Sequence, residues 1–413
     1  MLIRAKINNK VLKSPFAAEK ELCMDRYHIP LSVLECMNRI EQNGYEAWLA
    51  GGCVRDLLRG ETPEDYDIAS SAPPEKILKI FDRVIETGIR HGTVTVMIGD
   101  FPIEVTRFRV DGEYRDHRHP ETVIPVDSIE EDLARRDFTV NAMAMNLTGE
   151  LKDPFGGRAD LKSKLVRAVG DPDTRFSEDA LRILRGFRFA SVLEYTIEEK
   201  TLEAALRRVE TLSNISAERI FGELIKCMLG AAPQSLEPLI NAGGLLSAGI
   251  SSGRKLELLA KIPPECSLRF AALCYLSDAN PETVLRRLKS DKQISKLSAG
   301  IINELRLPAF VSKAEMKTRL SGFPPQLWKG IIETRGVLLG EDIAECKAWL
   351  TAIMDHNEPY LLRMLDIDGF DLIKLGFKGE KIGEALEKLL GEVIVSPELN
   401  RKKILLRLVE KHL

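Results

Sequence analysis

The sequence predicts an α+β N-terminal region, a mixed sheet with helices, over residues 1–170, followed by an all-α remainder over residues 171–413. Three observations carry that expectation. Alternating runs such as "TVTVMI" and "PIEVTRFRV" mark strands in the first part. A Gly-Gly turn sets a strand apart from an amphipathic helix, and a Gly-Asp turn joins two strands. From "SEDALRILRGFRFA" onward nearly every segment has helical period, with few β-branched alternations.

The elements follow in order. "SVLECMNRIEQNG" reads as an amphipathic helix stopped at Gly44, and "YEAWLA" as a short strand. After Gly51-Gly52, Val54, Leu57 and Leu58 fall at i, i+3, i+4, and Gly60 closes that helix. "YDIAS" is strand-like, and "PPEKILKIF" is a helix with proline at its start. Gly99-Asp100 turns between two strands. "DGEYRDHRHPETVIPVDS" is polar and aperiodic and reads as a long loop that includes His117 and His119. "FTVNAMAMN" and "KLVRAV" read as further strands around the turn "DPFGG". In the helical part, Pro263-Pro264 and Pro324-Pro325 mark breaks.

Composition narrows the function classes. The chain has 413 residues, a formal net charge of -3, 44% apolar and 29% charged residues. Such balance gives no whole-chain affinity for nucleic acid, so any such partner must be held by local basic patches. Seven scattered cysteines without a CxxC argue against a disulfide framework or a zinc site. No signal-like core and no run of about 18 apolar residues is present, so a cytoplasmic protein without membrane contact is expected.

Two short stretches carry chemistry. In a strand, residues i and i+2 point to one side. Asp65 and Asp67 of "EDYDIA" then aim together, with Tyr66 and Ile68 turned inward. Like charges so close repel unless a cation lies between them, and Mg2+ favours such hard oxygen ligands. A polar turn would contain the same residues. Glu104 in "PIEVTRFR" is placed to add a third carboxylate from a nearby strand, or else lies on a solvent face. Upstream, "AGGCVRD" puts glycines between a strand and a helix start, where free amides favour an anion. Arg55 on the first turn adds a charge-assisted contact.

The second stretch is "SEDALRILRGFRFA", with Ser177 read as the helix N-cap. Relative to Asp179, residues Ala180, Ile183, Leu184 and Phe187 fall in an apolar arc, whereas Arg188, Arg185 and Arg182 fall at about 180°, 240° and 300°. Three arginines so spaced repel each other unless something anionic lies alongside. Asp179 and Arg182, three apart, make an acceptor–donor pair. Such a pair matches the amino-plus-acceptor edges of cytosine and adenine and mismatches guanine and uracil, which would be rejected because polar groups stay unpaired.

"GGCVRD", "EDYDIA", "RRDFTVNAMAMN" and "SEDALRILRGFRF" occur in this order at fitting spacing, and together they resemble the class II tRNA nucleotidyltransferases, the CCA-adding enzymes of the polymerase-beta-like superfamily. The resemblance is strong over residues 20–235. It implies a nucleotidyltransferase head (1–170), a base-recognising neck (171–240), a body (241–325) and a tRNA-binding tail (326–413). It implies that Asp65 and Asp67 bind Mg2+ and that Gly52 and Arg55 contact the triphosphate. Arg136 matches a nucleotide-contacting arginine, Asp137 a sugar- or structure-holding acid. Asp179 and Arg182 match the base-reading pair, and Arg185 and Arg188 further nucleotide contacts. The polar loop matches a flexible loop associated with the switch from C to A. The implied reaction adds CCA to tRNA 3′ ends from CTP and ATP, releasing pyrophosphate. Bacterial poly(A) polymerase and a CC-adding enzyme share much of the pattern. "ETGIRHGTVTV" after the acids looks like the CCA-adding form, and the full-length loop speaks against CC addition. A non-catalytic RNA-binding protein is the alternative of another class. In "NRKKILLRLVEKHL", basic residues fit either a tRNA contact or an amphipathic closing helix.

Overall fold

The computed structural model describes residues 27–89, 92–112 and 123–412. They fall into two compact units that meet between Leu224 and Ile225. Helix α1, Leu31–Gln42, turns Val33, Cys36, Met37 and Ile40 inward and is followed by Gly44 at φ 84°. Strand β1, Ala47–Ala50, leads into α2, Gly52–Arg59, which Gly60 ends in left-handed conformation. Then come β2 (Asp67–Ser70), α3 (Pro74–Ile80, proline at its start), β3 (Val84–Gly88), β4 (Thr93–Ile98) and β5 (Phe101–Arg107). Strands β6 (Arg109–Asp111) and β7 (Val123–Pro125) form a separate antiparallel ribbon, and α4 (Ile129–Ala134) follows. Strands β8 (Ala144–Met145) and β9 (Leu151–Lys152) complete a seven-stranded sheet of order β3-β4-β5-β2-β1-β8-β9.

The sheet is mixed: β2 and β5 run parallel, and its other neighbouring strands are antiparallel. β1 is buried on both faces. Its alternation sends Ala47 and Leu49 into one apolar cluster with Val33, Val54, Ile68 and Ile103, and Trp48 and Ala50 into another with Phe108 and Leu133. This double burial fixes the register at the β1–α2 junction, because a one-residue slip would exchange the two clusters.

Beyond the sheet lie α5 (Gly157–Ser163), β10 (Leu165–Val166), α6 (Pro172–Glu178), α7 (Leu181–Leu193), β11 (Thr196–Ile197), α8 (Glu199–Arg207) and α9 (Ala217–Leu229). The α+β-then-helical expectation holds, with particular corrections. "FTVNAMAMN" is not one strand: Asn141 N–H bonds to the Phe138 carbonyl and Ala142 N–H to that of Thr139, curling Thr139–Asn141 into a 3-10 turn. "KLVRAV" shortens to β10, which pairs in parallel with β11, a two-residue strand inside the part read as purely helical. β3 and α4 were not expected. The ends of the polar loop pair as β6 and β7, while its centre, with His117 and His119, lies outside the described residues.

The second unit is helical among its described residues. Pro325 opens the helix Pro325–Leu339 as expected, and its Trp328 and Arg335 are fully buried. Arg335 is tolerated there because it donates to Glu341 and to the carbonyls of Leu307 and Pro308 at 2.8–3.0 Å. The closing helix Lys402–His412 turns Leu405 and Val409 inward and leaves Lys403 and Arg407 exposed. Lys402 pairs with Asp371 at 2.7 Å.

Candidate active site

The Gly-Gly turn is a backbone requirement. Gly51 sits at φ 84°, ψ -130°, and a Cβ there would run into the Arg136 guanidinium. Gly52, singled out from the sequence, is less constrained: a Cβ on it would meet Arg55 at an ordinary 3.7 Å. Gly51 was the missed position, and its signal was the glycine that ends a fully buried strand. Arg55 donates through Nε and Nη2 to the Asp56 carboxylate at 2.9 and 2.8 Å and through Nη1 to Asn141 Oδ1 at 2.8 Å.

The acids lie across from this turn. Asp67 opens β2 and stands in register with Glu104 on the parallel β5. Asp65 is not in the strand; it occupies the bend before it, exposed, while Tyr66 and Ile68 are buried as the alternation required. Glu104 is exposed between buried Ile103 and Val105. Burial raises the Asp67 carboxyl to about 6, helped by the charges of Glu104 and Asp65 and opposed by Arg136. The charges of Glu104 and Asp65 therefore reach Asp67. Among the described residues no three His, Cys, Asp or Glu side chains form a ready-made metal cage. Hard oxygen donors that repel each other fit a divalent cation held by one or two carboxylates and completed by substrate phosphates.

A network of arginines and acids faces this end of the sheet. Buried Asp132 accepts from Arg135 at 2.9 Å and from Arg136 at 3.2 Å. Asp137, also buried, accepts from the Phe138 N–H, from Asn141 Nδ2 and from Arg185 Nε at 2.8, 3.3 and 2.7 Å. Burial alone would raise the Asp137 carboxyl; Arg185, then Arg182 and the Asn141 bond, bring it down to about 2. Asp132 and Asn141 were not singled out by sequence reasoning: Asn141 meets Arg55 from far along the chain, whereas the i+3 and i+4 spacing of Arg135 and Arg136 from Asp132 was a signal that could have found it.

The arginine helix is broken where a single helix was expected. Ser177 lies in the last turn of α6, and α7 starts at Leu181. Between them Asp179 is extended, at φ -135°, ψ 106°. Its Oδ1 accepts the Leu181 N–H at 3.0 Å and its backbone carbonyl the Arg182 N–H at 2.9 Å. An aspartate favours this role over a helix interior. Asp179 and Arg182 are therefore not two side chains on one helical face. Asp179 Oδ2 accepts from Arg219 of α9 at 3.0 Å. Arg182 is buried and donates to Glu178 and to the carbonyls of Arg175 and Arg135. The apolar arc of Ala180, Ile183, Leu184 and Phe187 is buried as expected. The arginine arc meets its anions within the protein: Glu178 for Arg182, Asp137 for Arg185, and Glu223 for Arg188 at 3.1 Å.

The family model described as "Poly A polymerase head domain" matches residues 47–167, and "Probable RNA and SrmB- binding site of polymerase A" matches residues 194–246. A CCA-adding enzyme of Lactobacillus helveticus is 36% identical over 384 residues, covering 89% of this chain and 94% of the relative. One of Ligilactobacillus salivarius is 35% identical over 411 residues, covering 94% and 97%. The crystal structure of the Bacillus stearothermophilus CCA-adding enzyme in complex with CTP superposes with a TM-score of 0.76 at 29% identity, over 93% of this chain and 98% of that one. With the Gly-Gly turn, the acids and the arginine helix in one unit, and relatives matched over nearly their whole length, the chain belongs to the family of CCA-adding enzymes.

Proposed function

We propose that this protein adds CMP, CMP and then AMP to tRNA 3′ ends from CTP and ATP, without a nucleic-acid template, releasing pyrophosphate. The observation that carries the chemistry is the register of Asp67 with Glu104 on parallel strands beside the bend that holds Asp65. Asp65 and Asp67 would hold Mg2+, with Glu104 as a third carboxylate. When bound, the cation supplies charge that offsets the negative charge developing on the transferring phosphoryl group. The primer's 3′-hydroxyl attacks the α-phosphate, and the chain's part is positioning and electrostatics. The amides at the Gly51-Gly52 turn, with Arg55, Arg136, Arg185 and Arg188, hold the triphosphate. Asp137 keeps Arg185 in place. Asp179 and Arg182 read the base edge. One oxygen of Asp179 binds Arg219 and the other an amide, so lone pairs remain for a base amino group. Arg182 exchanges one of its carbonyl bonds for the ring acceptor.

The head over 1–170 and the neck over 171–240 hold the nucleotide, the body spans 241–325, and the tail (326–413) binds tRNA, with Lys403 and Arg407 among the exposed cations of the closing helix. No helix among the described residues is long and apolar enough to cross a membrane. A cytoplasmic enzyme is the reading we adopt. Incubating the protein with tRNA lacking its CCA end and each nucleotide mixture, then sequencing the products, tests the reaction. A product ending in CCA is expected. Long A tails would favour poly(A) polymerase, a reading that the name of the head-domain family keeps open. Products ending in CC would favour the CC-adding alternative, and no incorporation would leave an RNA-binding protein.

A further inference from the structure

One ring joins the arginine-bearing motifs. Phe189 of α7 is 7% exposed. The guanidinium carbons of Arg188, Arg55 and Arg185 lie 4.2, 5.5 and 5.6 Å from its ring centre. Phe138, directly after Asp137, meets the same ring in a T-shaped contact at 5.7 Å with planes 77° apart. Arg55 comes from α2 and the other two arginines from α7, so the ring couples the phosphate turn to the arginine helix.

Cations this close repel. Burial lowers the Arg188 pKa; Glu223 raises it, and Arg185 and Arg55 are among the groups that pull it down. More acid at this position would relieve the repulsion, but a carboxylate occupies the same in-plane N–H donors that a phosphate needs. An aromatic face attracts the flat side of a guanidinium without taking any in-plane donor, so it steadies these arginines beyond what the carboxylates already on Arg55, Arg185 and Arg188 do.

We propose that Phe189 is a positioning residue whose ring face holds Arg55, Arg185 and Arg188 in place for the nucleoside triphosphate. It rests on the reading that these arginines contact the nucleotide. Mono-, di- and trifluorinated phenylalanines at position 189 keep the shape of the ring while draining negative charge from its face. Across that series the KM for CTP and for ATP rises stepwise, roughly tenfold in total. Turnover at saturating nucleotide stays within about twofold, because the loss is in binding. Melting temperature and tRNA affinity do not move. Phe189→Leu raises KM as the trifluoro variant does, and Phe189→Tyr restores it. A flat KM across the fluorinated series, while Arg188→Gln raises KM, means that the ring only fills space and overturns the proposal. If Arg185→Gln and Arg188→Gln also leave KM unchanged, the assignment of the arginines falls first, and the role of Phe189 with it.

Discussion

The acid end of β2 and β5 and the arginine helix α7 handle charge in opposite ways. Burial and the charges of Glu104 and Asp65 push the Asp67 carboxyl up to about 6. On α7 each arginine already has a carboxylate partner, and Asp137 is held down to about 2. The first region stores repulsion that a bound cation relieves. The second is pre-arranged, so under the proposed function little ordering of its guanidiniums would remain on binding.

The sharpest way to break this contrast is Asp67→Asn. It should lower single-turnover incorporation by roughly 10²–10³-fold. The melting temperature should hold or rise, since a repulsive charge is gone. Wild-type turnover in a folded Asp67→Asn protein would sink the acid-end assignment. Asp137→Asn should do the reverse and act first on stability. It removes one partner of a buried pair, at a cost of about 3 kcal/mol. Urea denaturation measures it, and wild-type stability at pH 7 would count against a buttressing role. The sign with pH follows from the depressed pKa of Asp137. Its contribution is present above the ordinary carboxylate range and fades as pH falls toward about 2.

Selection comes next in size. Exchanging Asp179 or Arg182 should shift the CTP-over-UTP preference by roughly tenfold. Triphosphate affinity should stay near wild type. Competition among the four nucleotides decides it, and unchanged preference with lowered turnover would mean a structural pair only. An effect of similar size concerns protons at the acid end. Because the Asp67 pKa is raised, its ionised fraction falls as pH drops through about 6. Apparent Mg2+ affinity should therefore weaken roughly tenfold between pH 7 and pH 5. A flat Mg2+ titration across that range would contradict the raised value.

Much of this was legible before any coordinates, because periodicity reports burial directly. Leu49 and Ile68 face one core, and the alternation across Tyr66, Asp67 and Ile68 puts Asp67 on the open side. The apolar arc of α7 followed from the 3.6-residue repeat for the same reason. What escaped was set by hydrogen bonds between distant segments. The break at Asp179 depends on a cap and on Arg219, forty residues on. The curl at Thr139–Asn141 is pinned by the Thr139 hydroxyl on Asp160, a bond that no local pattern announces. Asn141 gains its importance only once Arg55, far back along the chain, is folded over it.

The break between α6 and α7 has a consequence for redesign. Asp179 is at once a helix cap, a partner of Arg219 and the proposed reader of the base, and Arg182 is tied to Glu178 in the same way. A single exchange that altered the chosen letter would also leave a stranded charge on α6 or α9. Rewriting the nucleotide alphabet of such an enzyme is therefore a task for paired exchanges, Asp179 with Arg219 and Arg182 with Glu178. A library that varies one position at a time would relax the preference while leaving an unmatched charge, whereas paired variation keeps the charges matched.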